Sequence, residues 1–198
     1  AADLEKELNV KECHLLNDWE SIGYSLPLMT KNDFNVIKSG NMDNSQTCLA
    51  IGPGTGLGFS VLRHVGNVPY VYPTELGNAR SYNDHLSNLF EISNSKNFIV
   101  LEDYLSGTGI KKIYAEKSGK NLTTEEIVSL YLEDDLATFI LNNFVVALNN
   151  ILQDLALTFN ARGGIFFAGS LMRTISEMNS INYIKEEFNK HSSEAHSN

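Results

Sequence analysis

The chain has 198 residues, a formal net charge of −9 and two cysteines. That length allows one sizeable domain, or one domain with part of a second. Acidic residues are spread along the chain without a basic cluster, which excludes a phosphate backbone and hence nucleic acid as a partner. No run approaches the roughly 20 apolar residues of a membrane span, and the polar start is unlike a signal peptide. We therefore expect a cytoplasmic protein with no membrane association and no disulfide framework.

The first part of the chain predicts a strand, a helix and a linker. Val10 to Leu16 is short and apolar-rich and ends at Asn17-Asp18, which favours a strand that closes at a turn or a helix cap. From Trp19 to Met29 apolar residues recur at helical spacing until Pro27 interrupts the pattern. The polar stretch from Thr30 to Gln46 indicates a connection between lobes, so a domain boundary is predicted near residue 30.

Further segments have the composition of strands. Thr47 to Ile51, Phe59 to Leu62 and Tyr70 to Tyr72 are rich in apolar residues and predict consecutive antiparallel strands. The glycine-rich residues 52 to 58 then form a strand-to-strand turn. Phe98 to Leu101 is also strand-like and leads to Glu102.

The second half predicts mainly helices. A helical segment is broken at Gly107-Thr108-Gly109 before Ile110 to Glu116 resumes. Thr123 and Glu126 form a capping box that opens a long helical region, whose apolar stripe runs almost to Asn160.

The end of the chain predicts one more strand and one more helix. Gly163 to Ser170 indicates a short buried strand bracketed by glycines. Met172 to Phe188 is expected to be helical, and the polar tail from His191 is expected to fray.

The glycines at 52, 54, 56 and 58 invite comparison with nucleotide-binding loops. No Lys-Ser or Lys-Thr pair follows them, as a P-loop requires, and their spacing is not that of a dinucleotide-binding loop that opens a helix. What remains is a turn whose backbone can present successive N–H groups to an anion such as phosphate, with the Thr55 hydroxyl as a further donor. A hairpin with only conformational duties is the alternative.

Three polar positions follow strand-like runs. Asn17-Asp18, Glu75 and Glu102 could therefore converge at one end of a sheet, where carboxylates and amides can bind sugar hydroxyls. Taken singly, an Asn-Asp pair is also an ordinary helix cap, and a glutamate is usually a solvated side chain. Both interpretations stay open on these residues alone.

Five motifs occur along the chain in this order: Leu-Asn-Asp-Trp-Glu, Gly-Pro-Gly-Thr-Gly-Leu-Gly, Glu-Leu-Gly-Asn, Glu-Asp-Tyr-Leu-Ser-Gly-Thr-Gly-Ile and Gly-Gly-Ile-Phe-Phe-Ala-Gly-Ser. In sequence and spacing they resemble the bacterial glucokinase family of the hexokinase and actin-like ATPase fold, from about residue 10 to about residue 190. The resemblance implies an α/β, ribonuclease-H-like (actin/hexokinase-type) domain with a mixed sheet flanked by helices. Residues 1–30 would be the C-terminal part of a small lobe, and residues 31–198 the large sugar- and nucleotide-binding lobe.

The resemblance also implies a sugar site. Asp18 matches the family's catalytic base and Asn17 its sugar-binding neighbour. Glu75 and Glu102 match the two glutamates that hold sugar hydroxyls. Asn78 stands where the family's Glu-x-Gly-His has histidine, and its amide can still bond a hydroxyl but cannot take a proton.

A nucleotide site follows from the same resemblance. The family's phosphate-binding hairpin maps to Gly54, Thr55 and Gly56, and its adenosine-side glycine to Gly169. The implied reaction transfers the γ-phosphoryl group of ATP to the 6-hydroxyl of glucose with Mg²⁺, so glucose and ATP are the expected partners. Because Cys13 and Cys48 are isolated and Asn78 replaces the histidine, no protein-bound metal, and in particular no structural zinc, is predicted.

One family feature does not occur in the sequence. The family begins with a small lobe whose first strand carries an Asp-x-Gly-Gly-Thr phosphate loop, and this chain has no such motif. We therefore expect a fragment of a longer kinase that turns over poorly by itself.

Two other functions compete with a kinase. One is a sugar- or nucleotide-binding module of the same fold without catalysis. The weaker one is a glycoside hydrolase with Glu75 and Glu102 as paired carboxylates, which would leave the glycine hairpin without a purpose. Whether the chain forms a homodimer stays open.

Overall fold

One four-stranded sheet, in the order β3-β2-β1-β4, organises the fold. The computed structural model describes residues 2–30, 32–40, 43, 45–177 and 186. The strands are β1 Cys48–Pro53, β2 Leu57–Val65, β3 Val68–Pro73 and β4 Gly164–Phe167. The α-helices described are α1 Ala2–Leu8, α2 Asp18–Ser25, α3 Asn83–Leu89, α4 Gly107–Ser118, α5 Thr124–Ser129, α6 Asp135–Phe159 and α7 Ser170–Glu177. Short 3-10 helices occupy Leu26–Leu28, Leu76–Asn78, Ser95–Asn97 and Leu101–Asp103.

The sheet is mixed because β1 has a different kind of neighbour on each side. It runs antiparallel to β2, with Gly52 opposite Gly58, and parallel to β4, with Ile51 opposite Phe167. Strand β3 pairs antiparallel with β2 at the other edge. The predicted set of three consecutive antiparallel strands is therefore confirmed. The parallel pairing of β1 with β4 requires a long crossover, and helices α3 to α6 supply it.

Both faces of the sheet are covered by apolar side chains. Leu49 and Ile51 of β1 belong to the main core, which includes residues of α4, α5 and α6. Cys48 and Ala50 point to the opposite face, which Trp19 and other residues of α2 cover. Alternation along the strand therefore buries all six residues of β1.

Helix α6 is the longest element described and contributes many of the buried side chains of the main core. Its predicted stripe is confirmed, since Leu141, Val145, Leu148, Leu152 and Leu155 are all buried. Contrary to expectation from the sequence, α6 has the length and composition of a membrane span, but 56% of its apolar window is buried inside the protein. That degree of burial is typical of the central helix of a folded domain.

The predicted strand from Val10 to Leu16 is wrong. The segment has no regular secondary structure, and Leu15 and Leu16 are 68% and 46% exposed. A strand requires a neighbour for its N–H and C=O groups, and no described residue pairs with this segment. The helix predicted after it is confirmed as α2, which the Pro27 turn terminates. The boundary near residue 30 stays a prediction.

The predicted strand-like run from Phe98 to Leu101 is also wrong. The Asp103 carboxylate accepts the N–H groups of Ile99, at 2.7 Å, and Val100, at 3.0 Å, so these groups are not available to a sheet. Side-chain capping of this kind competes with strand pairing. Glu102 consequently lies in a 3-10 helix rather than at the end of a strand.

The glycines at 107 and 109 do not break a helix; they begin one. Ser106 caps α4 by accepting the N–H of Gly109 at 2.9 Å. The capping box of Thr123 and Glu126 is confirmed, but the helical region that it opens divides into α5 and α6.

The predictions for the end of the chain are met in part. Strand β4 forms as predicted but is half-buried rather than buried. Helix α7 begins at Ser170 and is described to Glu177. The remaining residues of the predicted helix, apart from 186, and the tail from His191 lie outside the described residues.

The close approach of α2 to the sheet generates a stability prediction. Gly23 is buried in α2, and a Cβ there would lie 2.7 Å from Cγ1 of Val71 and 3.0 Å from Oγ of Ser60. Helix propensity alone favours Gly23→Ala by about 1 kcal/mol. We expect the opposite sign, a loss of about 1–3 kcal/mol, because the stiff Val71 side chain cannot move aside.

Urea unfolding measures this difference. Gly40→Ala is the control, since a Cβ at position 40 meets nothing within 4 Å. A Gly23→Ala variant more stable than the wild type would contradict the packing described for α2.

Candidate functional site

The sheet topology brings three of the predicted site segments to one edge. Because β1, β3 and β4 run in the same direction, their carboxyl ends meet there, together with the start of the antiparallel β2. The β1–β2 turn, Glu75 after β3 and Gly169 after β4 therefore share this edge. It is the position at which open α/β sheets usually hold ligands.

The four glycines of the hairpin form two pairs with different structural roles. Gly52 and Gly58 face each other across β1 and β2, and a Cβ on either residue would overlap the Trp19 indole. This pair, which we call the indole slot, is thus required to be glycine by the close approach of a side chain. Gly54 and Gly56 lie in the turn itself.

Two N–H groups of the turn have no acceptor among the described residues. The N–H of Gly54 donates to the carbonyl of Gly56 at 2.8 Å, and the N–H of Leu57 donates to Oε2 of Glu102 at 3.3 Å. Among the described residues, nothing accepts from the N–H groups of Thr55 and Gly56. With the exposed Thr55 side chain they form the tip of the hairpin, which we call the anion-binding tip because adjacent N–H groups of this kind can bind an anion. Of the three predicted positions, Gly54 contributes the shape of the turn rather than a free donor.

Glu102 is built into the base of this turn. Its half-buried carboxylate approaches so closely that a Cβ on Gly56 would lie 2.7 Å, and one on Gly77 3.0 Å, from Oε2. The hydrogen bond from Leu57 is the contact that holds it. Glu102 thus joins the hairpin to the loop after β3, although it does not follow a strand.

Asp103 holds the 3-10 helix that carries Glu102. Its carboxylate accepts the two N–H groups of Ile99 and Val100 and the Lys112 ammonium, at 2.6 Å. Burial alone would raise the pKa of Asp103, but the hydrogen bonds from Lys112 and the backbone outweigh it and lower the pKa. This set of contacts, which we call the Asp103 clamp, was not predicted from the sequence, and the adjacent Glu102-Asp103 pair was the signal that could have indicated it.

Glu75 and Asn78 act together. Both are exposed, and Nδ2 of Asn78 donates to Oε2 of Glu75 at 3.2 Å across the turn Leu76–Asn78. The Asn78 amide therefore orients this glutamate. Its carbonyl oxygen stays available for a hydroxyl group.

Asn17 and Asp18 form the start of α2. Oδ1 of Asn17 accepts the N–H of Glu20 at 2.6 Å, so Asn17 is a helix cap, and Oδ1 of Asp18 accepts the N–H of Trp19 at 2.9 Å. Both side chains are exposed. Trp19 fixes this helix start beside the hairpin, because its indole fills the indole slot.

Gly169 connects β4 to α7 at the same edge. Its φ of +100° is in the region that favours glycine, whereas the nearest atom to a Cβ there, the carbonyl oxygen of Pro53, is 3.8 Å away. Backbone conformation, rather than lack of space, therefore requires glycine at this position.

A second support of the hairpin was not predicted. The N–H of Gly107, at the start of α4, donates to the carbonyl of Gly54 at 2.6 Å. The carbonyl of Gly107 in turn accepts the Thr124 hydroxyl at 2.9 Å. The turn is thereby tied to α4 and α5, and the Ser-Gly-Thr-Gly segment was the signal that could have indicated it.

Comparison with known proteins gives a consistent result. A family model described as Glucokinase matches residues 1–195. A curated glucokinase from Helicobacter pylori strain J99 is 29% identical over 183 residues, which cover 83% of this chain and 54% of that protein. The chain thus spans about half the length of such curated relatives.

Solved structures agree on the fold. A glucokinase from an Antarctic psychrotroph superposes with a TM-score of 0.75 at 25% identity, covering 93% of this chain and 65% of that one. A glucokinase of the ROK family from Streptomyces griseus, in complex with glucose and AMPPNP, superposes with a TM-score of 0.58 at 16% identity, covering 94% and 61%. The predicted actin/hexokinase-type fold is confirmed.

The Asp103 clamp generates a prediction about pH. Because the folded-state pKa of Asp103 lies below its unfolded value, its stabilisation is present above about pH 4 and is lost as the pH falls through the folded-state pKa. We expect Asp103→Asn to lower the free energy of unfolding at pH 7 and the gap to the wild type to shrink toward pH 3.

Urea unfolding at several pH values checks this, with Asp3→Asn on the exposed part of α1 as the control. A gap that stays constant, or widens in acid, would contradict the charge-assisted clamp.

Proposed function

The chain belongs to the glucokinase family, and from this premise we propose that it carries the sugar and phosphate site of an ATP-dependent glucokinase that phosphorylates the 6-hydroxyl of glucose. One observation carries the proposal. The turn that carries the anion-binding tip is hydrogen-bonded to Glu102 and to the start of α4. The indole slot beneath it holds the ring of Trp19, which lies on the same helix as Asp18. In this proposal the phosphate-binding N–H groups and the hydroxyl-binding side chains share one sheet edge.

The residues divide the reaction between them. Asp18 accepts the proton of the attacking hydroxyl, while Asn17, Glu75, Asn78 and Glu102 bind the other sugar hydroxyls. The N–H groups of Thr55 and Gly56 hold phosphate oxygens, and Gly169 borders the adenosine. Phosphoryl transfer has a loose transition state, so placement of these groups contributes more than the strength of the base.

The metal ion enters with the nucleotide in this proposal. Among the described residues no group of three or more His, Cys, Asp or Glu side chains is placed to hold an ion. Mg²⁺ prefers to keep water and substrate phosphates as ligands and needs few protein side chains. We propose MgATP as the substrate, with the nucleotide phosphates and water as the ligands of the ion. A cytoplasmic location is proposed with it.

A binding module without turnover is the second candidate. The observation that favours it is the exposure of Asn17, Asp18 and Glu75, because phosphoryl transfer requires water to be excluded from the reacting atoms. Calorimetric glucose binding by this chain, with no ADP formed from MgATP, would identify that function.

The proposed base is tested by Asp18→Asn. The amide keeps the size and the hydrogen bond of the carboxylate but cannot take the proton, so we expect kcat to fall by about 10²–10⁴-fold with little change in glucose affinity. A coupled assay for ADP and calorimetry with glucose measure the two quantities. Glu125→Gln, at an exposed position in α5, is the control, and an Asp18→Asn variant with wild-type kcat would refute the assignment.

The Asn78–Glu75 pair gives a second prediction. Asn78→Ala removes a hydrogen bond that orients Glu75, which is worth about 1 kcal/mol, so KM for glucose should rise by about fivefold while kcat changes less. Asn78→His, which restores the family residue, should recover most of the loss. Equal KM values for wild type and Asn78→Ala would show that the pair does not bind sugar.

A further inference from the structure

Trp19 is the chain's single tryptophan and follows Asp18 directly in the first turn of α2. It is half-buried and packs with Ile22 and Tyr24 against the second apolar layer of the sheet. Its ring also occupies the space that side chains at positions 52 and 58 would need. One side chain therefore touches both the sheet and the hairpin.

The indole slot lies directly below the anion-binding tip. In the β1–β2 register, Pro53 pairs with Leu57 at the end of the hairpin, and the next pair inward is Gly52 with Gly58. With no side chain on either glycine, the indole rests on the two backbones. A shift of the turn would therefore change the surface against which the ring packs.

Trp19 is also bonded to Asp18 through its backbone. The backbone N–H of Trp19 donates to Oδ1 of Asp18 at 2.9 Å, so the carboxylate is held by the residue whose side chain fills the slot. Farther along α2, the contact of Gly23 with Ser60 and Val71 keeps the helix close to the sheet. Because Trp19 and Asp18 share the first turn of α2, a displacement of the indole would act on the turn that bears Asp18.

We propose that Trp19 is a positioning residue whose indole, seated on Gly52 and Gly58, couples phosphate binding at the hairpin tip to the placement of Asp18. The inference rests on the proposed function of this site and adds a residue to it. Trp19 touches neither proton nor phosphate. It sets where Asp18 lies relative to the anion.

Fluorescence of the single tryptophan tests the coupling without any assay of activity. MgADP and inorganic pyrophosphate are titrated into this chain, and binding is followed in parallel by calorimetry. We expect a saturable change in Trp19 emission with the calorimetric midpoint. In Gly58→Ala the added methyl group displaces the indole, so emission should shift toward that of an exposed indole and lose its response, whereas Gly40→Ala should respond like the wild type.

Kinetics separate positioning from folding. Trp19→Ala should lower kcat by about 100-fold, the effect of displacing a catalytic group by about 1 Å, with a much smaller change in KM for MgATP. Trp19→Phe, which keeps an aromatic ring in the slot, should recover most of kcat. Thermal unfolding of both variants verifies that they are folded.

The outcomes distinguish this inference from the proposed function. Calorimetric binding of MgADP with unchanged Trp19 emission, no binding of either probe, or wild-type kcat in Trp19→Ala would each overturn the coupling. A chain whose emission responds to MgADP but that does not phosphorylate glucose would support the coupling and contradict the kinase.

Discussion

The site depends on a hairpin that contributes almost no side chains of its own. The Trp19 indole packs directly on the backbone of Gly52 and Gly58, which face each other across β1 and β2. At Gly56 the Glu102 carboxylate occupies space that a Cβ would need. Side chains from segments far apart in the sequence can therefore pack against the same short stretch of hairpin backbone. A single side chain on any of these glycines would push one of the functional groups away.

The charge of the chain fits this use of backbone. With a net charge of −9, the protein has little general attraction for a polyanion. The N–H groups of Thr55 and Gly56 provide local positive potential without basic side chains, and the carbonyl of Gly54 is already bonded to α4. Rigid donors of this kind need no rearrangement when charge builds up on a transferring group.

Local patterns in the sequence predicted the hairpin, α2, the capping box of Thr123 and the stripe of α6, because each depends on neighbouring residues. The predictions failed where contacts with residues outside the local segment determine its secondary structure. Nothing near Val10 to Leu16 reveals that the segment lacks a partner strand among the described residues, and the run at Phe98 is overruled by the Asp103 carboxylate. The glycine spacing suggested a single turn made by all four glycines. The Trp19 ring shows instead that Gly52 and Gly58 make room for a side chain, whereas Gly54 and Gly56 form the turn.

The most direct test of the account is the response of the backbone amides to a nucleotide. In ¹⁵N-labelled protein, titration with MgADP should shift the amide signals of Thr55 and Gly56 most strongly, while those of Val65 and Val68, at the opposite end of β2 and β3, stay in place. Shifts confined to other parts of the chain, with Thr55 and Gly56 unchanged, would contradict a phosphate site at the tip of this hairpin.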